Sequence, residues 1–230
     1  MTRIVVLSGA GLSAASGLGT FRDAGGLWSQ YDLEDVATPQ GFARNPRLVH
    51  GFYNARRANC IAARPNLAHE ALARLSQVRG TDVMLVTQNI DDLLERAGAR
   101  GIVHMHGELM RGLCGACGHR WDAPPEMSPD DPCPACGAAA TRPDVVWFGE
   151  FPYHMERIAD ALADCDLFVS IGTSGSVYPA AGFVAEAAAM GAHTLELNLD
   201  PSDTSAMFAE HRHGPAETLV PGWVDAILAG

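Results

Sequence analysis

The feature that most constrains this 230-residue chain is a recurrence: short apolar runs, each ending in small or polar residues, alternate with stretches of helical pattern. "RIVVL" leads into "SGAG", "DVMLV" into "TQNID", "DLFVSI" into "GTSGS" and "TLELN" into "LDPS". Apolar runs of this length read as strands buried on both faces. "MERIADALADC", "PAAGFVAEAAAMGA" and "PGWVDAILAG" read as the helices around them. The alternation predicts an α/β fold with a mostly parallel sheet covered on both faces. Such a sheet binds its ligand beyond the carboxyl ends of its strands. The polar segments "SGAG", "TQNID", "HMHGE", "FGE", "GTSGS" and "NLD" are therefore the candidate site.

Two stretches interrupt the pattern. Residues 32–79 are mostly helical, with breaks at Pro39, Pro46 and Pro65, and "DDLLERAG" adds a short helix closed by Gly98. Residues 112–143 are rich in Cys, Gly and Pro and read as an inserted module, after which "DVVWFGE" returns to strand. In that module Cys114 and Cys117 form one C-x-x-C pair, and Cys133 and Cys136 form another fifteen residues on. The spacing is that of a four-thiolate zinc ribbon, with a redox pair as the alternative. Four thiolates close the coordination sphere, so the expected ion is structural, and His119 has no place as a ligand. Cys60 and Cys165 sit in helical, apolar settings and read as packing residues.

The net charge of −11 argues against nucleic-acid binding. No stretch reaches the ~18 apolar residues of a spanning helix. The first strand starts within four residues of the N-terminus, which leaves no room for a signal peptide, so a cytoplasmic protein is expected. All sixteen basic residues are arginine, so no lysine of this chain can act as a nucleophile or be acylated.

Three polar segments carry candidate chemistry, each beside a plainer reading. Gly9 and Gly11 permit a tight turn whose N–H groups face a phosphate, with a helix starting near Ser13, although Gly17 lies outside the usual G-x-G-x-x-G spacing. In "HMHG", either His104 or His106 suits a general base; a metal pair or a core histidine is the alternative. In "TQNID", Gln88, Asn89 and Asp91 suit a ribose or a carboxamide, or cap a helix.

Taken together, "GAGLSAASG…TFRDAGGLW", "TQNID", "HMHGEL", the two C-x-x-C pairs, "VVWFGE", "GTSGSVYPAA" and "ELNLDPS" resemble the sirtuins, the NAD-dependent protein deacylases. The motifs stand in family order from residue 8 to about 202, with "GPAETLVP" a weaker match. The resemblance implies one catalytic domain with a Rossmann-like lobe (about 1–31, 80–107 and 144–230), a helical insertion (about 32–79) and a zinc-ribbon module (about 108–143). It implies NAD as consumed co-substrate and one structural zinc ion. Gly9, Ala10, Gly11, Phe21 and Arg22 would border NAD; Gln88, Asn89 and Asp91 would hold its nicotinamide end, and Gly172, Thr173, Ser174, Asn198, Asp200 and Ala216 its adenosine side. His106 takes the place of the catalytic base. Val146, Phe148 and Gly149 would pair with the backbone of an acylated-lysine peptide. The products would be free lysine, nicotinamide and 2′-O-acyl-ADP-ribose.

Tyr53 and Arg56 lie three apart, on one helix face. They match the Tyr-x-x-Arg of sirtuins that prefer succinyl- and malonyl-lysine, and Ala24 matches the small residue that widens their acyl pocket. Arginine grips a carboxylate with a planar fork. The plainer reading packs Tyr53 in the helical module and leaves Arg56 a surface charge beside Arg57. Gly19 departs from a frequent family proline. The alternatives to a desuccinylase are a deacetylase, a protein ADP-ribosyltransferase, and an NAD-sensing or zinc-ribbon binding module. A monomer acting on other proteins, with no membrane or nucleic-acid partner, is expected.

Overall fold

The computed structural model describes residues 2–19, 31–78 and 80–229. Phe21, Arg22 and Ala24 lie outside these residues. The chain begins with β1 (Arg3–Ser8), then four helices: α1 (Leu33–Val36), α2 (Pro39–Arg44), α3 (Pro46–Ala62) and α4 (Leu67–Ser76). The stretch breaks at its three prolines, as expected: Pro65 lies in the connection between α3 and α4, and the other two open helices. Pro39 and Pro46 each hold a first helical position, where a missing N–H costs nothing. Asp32, Thr38, Asn45 and Asn66 cap the four N-termini with their side chains.

Next come β2 (Asp82–Thr87), α5 (Leu93–Arg96) and β3 (Ile102–His104). The inserted module holds β4 (Gly107–Cys114), β5 (Arg120–Asp122) and β6 (Thr141–Val145). The chain ends with α6 (Met155–Asp164), β7 (Leu167–Ile171), α7 (Phe183–Ala189), β8 (His193–Asn198), β9 (Glu210–His213) and α8 (Ala216–Ala229).

Six strands pair in parallel in the order β3-β2-β1-β7-β8-β9. The chain winds outward from β1 through β2 to β3, then returns to β7 on the other side of β1. This is a Rossmann-like doubly wound sheet with its switch point between β1 and β7, the place where sheets of this kind bind their ligands. Residues alternate between faces, as the pleat requires. Ile4, Val6, Val169 and Ile171 pack with α4 and α8 around Leu72 and Trp223. Val5, Leu7 and Phe168 pack with α6 and α7 around Leu162 and Phe183. A third core joins α1 and α3 to the module through Phe52, Tyr53, Leu109, Val145 and Trp147.

The structure departs from the sequence reading at four places. No α-helix starts near Ser13; two 3-10 turns, Ala10–Leu12 and Ala14–Ser16, take its place. The strand of "DVVWFGE" ends at Val145, and the next residues turn. The module's sheet, ordered β5-β4-β6 and antiparallel, starts immediately after His106. Finally, "EHRH" forms β9, a sixth strand that its polar sequence does not announce.

Candidate active site

The loops after β1 and β7 knit together at the switch point. The Gly9 N–H donates to the Ile171 carbonyl (2.9 Å) and the Gly11 N–H to the Gly172 carbonyl (2.8 Å). A Cβ at Gly9 would lie 2.8 Å from the Gly172 oxygen, and one at Gly11 would lie 2.7 Å from the Gly172 Cα. Gly172 itself has φ +61°, and its Cβ would meet the Leu12 nitrogen at 2.5 Å. The glycines are thus required by loop-on-loop contact, and the N–H groups of Gly9 and Gly11 are spent inside the protein rather than facing a phosphate. The Ala10 N–H between them finds no partner among the described residues.

The segment after β2 lies across this pair of loops. The Gln88 N–H donates to the Ser8 carbonyl, and its side-chain amide donates to Thr173 Oγ1 (3.0 Å). Asn89 Nδ2 donates to the Gly9 carbonyl (3.0 Å) and to Ser13 Oγ (3.2 Å). Ser13 Oγ in turn donates to Asp91 Oδ2 (3.0 Å). His69, fully buried on α4, completes the chain with Nε2 at 3.3 Å from Ser13 Oγ. The Asn66 N–H donates to His69 Nδ1 (3.2 Å), so this nitrogen is the acceptor and the ring proton sits on Nε2. Burial pushes the His69 imidazole down to about 4, against the opposing charge of Glu95, so the ring is neutral. Burial also raises Asp91, while the bonds from the Leu93 N–H and Ser13 oppose it. Neither Ser13 nor His69 stands out in the sequence. The one local signal is for His69, the Asn-x-x-His capping box that opens α4.

The two histidines of "HMHG" hang on successive carbonyls of one loop. His106 Nδ1 lies 3.2 Å from the Gln88 carbonyl oxygen, and His104 Nδ1 lies 3.3 Å from that of Asn89. A carbonyl only accepts, so His106 carries its proton on Nδ1 and presents the Nε2 lone pair. Burial holds the His106 pKa below the ordinary imidazole range, although the Gln88 bond opposes the shift. A neutral imidazole with a defined free nitrogen is what a general base requires. Gly107 follows with φ +80°, and a Cβ there would lie 2.2 Å from the Asp144 oxygen, so only glycine lets β4 leave next to the base.

On the far side, Asn198 Nδ2 donates to the Thr173 carbonyl (2.9 Å) and the Asn198 carbonyl accepts from the Gly214 N–H. Ser174 Oγ is 2.6 Å from Ser176 Oγ. Asp200 is exposed just past β8, and Ala216 opens α8. All of these residues lie at the same edge of the sheet.

Tyr53 and Arg56 stand one turn apart on α3. Tyr53 is buried, and its hydroxyl oxygen accepts from Trp147 Nε1 (3.0 Å), ninety-four residues away in sequence. The Arg142 guanidinium lies 3.4 Å over the Trp147 ring and is itself paired with Glu150 (2.6 Å). Arg56 lies 5.9 Å from the Tyr53 ring centre and interacts electrostatically with Asp91. Its neighbour Arg57 is fully buried. Its guanidinium donates to the carbonyl of Leu109 (3.1 Å), to Asn54 Oδ1 (2.9 Å) and to the Met127 sulfur (3.5 Å), joining α3 to the module. Of the segment expected to pair with a peptide, the Val146 N–H donates to the His106 carbonyl and the Phe148 N–H to the Ala37 carbonyl, while Gly149 adopts φ +90°.

The four cysteines come together. Their sulfurs all lie within 4.8 Å of one another, with Cys114–Cys136 at 3.7 Å and Cys117–Cys133 at 3.8 Å. Zinc–sulfur bonds of about 2.3 Å in a tetrahedron set the sulfurs ~3.8 Å apart, so the quartet fits the ion. Each pair forms the same knuckle: the Gly118 N–H returns to the Cys114 carbonyl and the Gly137 N–H to the Cys133 carbonyl, both at 2.9 Å.

Comparison with known proteins agrees with this geometry. The Sir2 family model matches residues 9–179. The chain is 58% identical over 231 aligned residues to the NAD-dependent protein deacylase of Caulobacter vibrioides, covering 99% of this chain and 97% of the relative. To the protein of the same name from Salmonella typhimurium it is 54% identical, covering 99% and 85%. A solved Sir2 homologue–NAD complex superposes with a TM-score of 0.91 at 36% identity, covering 98% of this chain and 89% of that one. A mutant Sir2 homologue bound to 2′-O-acetyl ADP ribose superposes at 0.90 and 34% identity, covering 98% and 92%. A family model that matches most of the chain and likeness at this level over nearly its whole length lead to one conclusion: the chain belongs to the Sir2 family.

Proposed function

We propose that this chain removes acyl groups from protein lysines at the expense of NAD, and that it favours acyl groups ending in a carboxylate, succinyl and malonyl, over acetyl. In the chemistry that NAD supplies, nicotinamide leaves, lysine is freed and the acyl group passes to the ribose 2′-hydroxyl. The protein's part is to hold and to move a proton. His106 Nε2 takes the proton of a ribose hydroxyl, with the Gln88 carbonyl fixing the ring through Nδ1. Asn89 and Asp91, tied through Ser13, face the nicotinamide end, and Thr173 and Asn198 the adenosine side. Val146, Phe148 and Gly149 border the peptide. The thiolates of Cys114, Cys117, Cys133 and Cys136 would hold one zinc ion, and four of them close its coordination, so the ion would be structural.

The acid preference rests on one observation. The Trp147 indole N–H already occupies an acceptor position of the Tyr53 hydroxyl, so the phenolic proton is directed elsewhere, available to a carboxylate. Burial raises the Tyr53 pKa, which keeps that proton in place. Arg56, one turn on, supplies the positive charge that a buried carboxylate needs. The chain acts in this reading as a cytoplasmic monomer; among its described residues no helix is long and apolar enough to cross a membrane.

The test is kcat/KM on matched succinyl- and acetyl-lysine peptides, with and without NAD, for the native chain and Arg56→Met. An NAD-dependent succinyl preference is expected, and Arg56→Met lowers it by at least tenfold while changing acetyl turnover little. Equal losses on both peptides make Arg56 structural and leave a deacetylase. ADP-ribose appearing on protein without lysine release would indicate a transferase instead.

A further inference from the structure

His104 is the histidine that the reaction leaves unused, yet both of its ring nitrogens are engaged. Nδ1 meets the Asn89 carbonyl at 3.3 Å, and Nε2 meets Glu95 Oε1, on α5, at 2.6 Å. A main-chain carbonyl only accepts, so Nδ1 carries a proton. A carboxylate is ordinarily a weaker base than imidazole by about two units, so the proton shared with Glu95 belongs to Nε2. Both nitrogens protonated is the imidazolium. The side chain is only 10% exposed, and the acids facing it are Glu95, Glu108 of β4 and, across the loop, Asp91. His106, two residues on, is bonded in the opposite sense, with one nitrogen on a carbonyl and the other kept for substrate.

The consequence lies in the loop between them. Gln88 and Asn89 offer successive carbonyls, one to each histidine. Asn89 also commits its side-chain amide to the Gly9 carbonyl and Ser13. We infer that His104 is a positioning residue that works as an imidazolium, clamping the Asn89 carbonyl to Glu95 so that the loop holding His106 and facing the nicotinamide end keeps its shape. Turnover therefore needs His106 neutral and His104 charged. Burial opposes the His104 charge, but the bond to Glu95 and its negative charge outweigh it, so the imidazolium persists above the ordinary imidazole range.

This rests on the deacylase reading, and the test separates the two. Histidine-selective NMR titration of the native zinc-loaded chain reads the His104 charge without turnover. At pH 7.5 both ring nitrogens should show the protonated shift, with His106 neutral in the same spectrum. The pH profile of kcat/KM for an acyl-lysine peptide should be bell-shaped, the acid limb from His106 and the alkaline limb from His104. Glu95→Gln should move the alkaline limb down by about one unit or more with the acid limb in place, and Glu95→Asp should restore it. A neutral His104 at pH 7.5 overturns the inference. So does an alkaline limb unmoved in Glu95→Gln, or an equal loss at every pH. If the native chain deacylates no peptide, the functional reading falls, and the titration still decides the charge of His104.

Discussion

At the scale of single residues, the site uses three histidines in three protonation settings, each dictated by what its nitrogens touch. His106 has one acceptor partner and is neutral with a free lone pair. His104 has two acceptors. His69 has a donor on Nδ1 and so gives its Nε2 proton to Ser13. The His69 setting has a stability consequence with a definite sign. Its pKa falls to about 4 in the folded chain, so the unfolded chain, at about 6.5, binds the proton first. Stability from His69 is complete above pH 6.5 and is lost as pH falls toward 4. Between pH 7.5 and 5 the loss is about 2 kcal/mol. His69→Gln should remove this component: urea midpoints at the two pH values should differ less in the variant than in the native chain. An unchanged pH difference would mean that His69 is already protonated in the fold.

At the scale of elements, β1 and β7 meet at the switch point, and their loops approach too closely for any side chain at Gly9, Gly11 or Gly172. Gly51 is a useful contrast, since a Cβ there, at an exposed position of α3, meets nothing within 4 Å. Gly11→Ala should force the two loops apart, cost about 1–3 kcal/mol in chemical denaturation and raise the KM for NAD. Gly51→Ala should stabilise by roughly 0.5–1 kcal/mol with kinetics unchanged. Equal stability of the two variants would show that the loops have room that the backbone contacts deny. The same scale explains two missed elements. β9 is an edge strand whose residues Glu210–His213 are mostly exposed, so no alternation of apolar residues marks it. The turn after β1 lacks an α-helix because the Ala14–Ser16 turn ends at Gly17 in the left-handed region.

At the scale of the whole molecule, the cysteine-bearing module is tied to the helix that carries Tyr53 and Arg56. The buried Arg57 and the half-buried Asn54 of α3 bind Leu109 and Met127 of the module, and α3 also carries Tyr53 and Arg56. The Asp144 carboxylate, buried on β6, accepts from Arg120 (2.8 Å) and from the Tyr153 hydroxyl (3.0 Å), a second tie to the main lobe. A structural zinc site contributes on the order of 10 kcal/mol to folding. Chelation should release one zinc per chain and abolish deacylation, while circular dichroism retains most of the parallel-sheet lobe. Full activity after metal loss would separate the module from the site.

Much of this was legible in order along the chain. The apolar runs specified a parallel sheet covered on both faces, because a strand buried on both faces must be apolar throughout. The C-x-x-C spacing specified the thiolate quartet, because each pair needs only its own turn to aim two sulfurs. Such signals are local, and local geometry is what a sequence pattern records. The tertiary structure alone decided what distant residues do for one another. It set Trp147 on Tyr53 across ninety-four residues and Ser13 on Asp91 across seventy-eight, and it buried Arg57. It also turned Gly9 and Gly11 from an expected phosphate cradle into the contact surface of two loops. A buried polar group must find a partner wherever the chain crossing brings one, and no spacing along the sequence encodes that crossing.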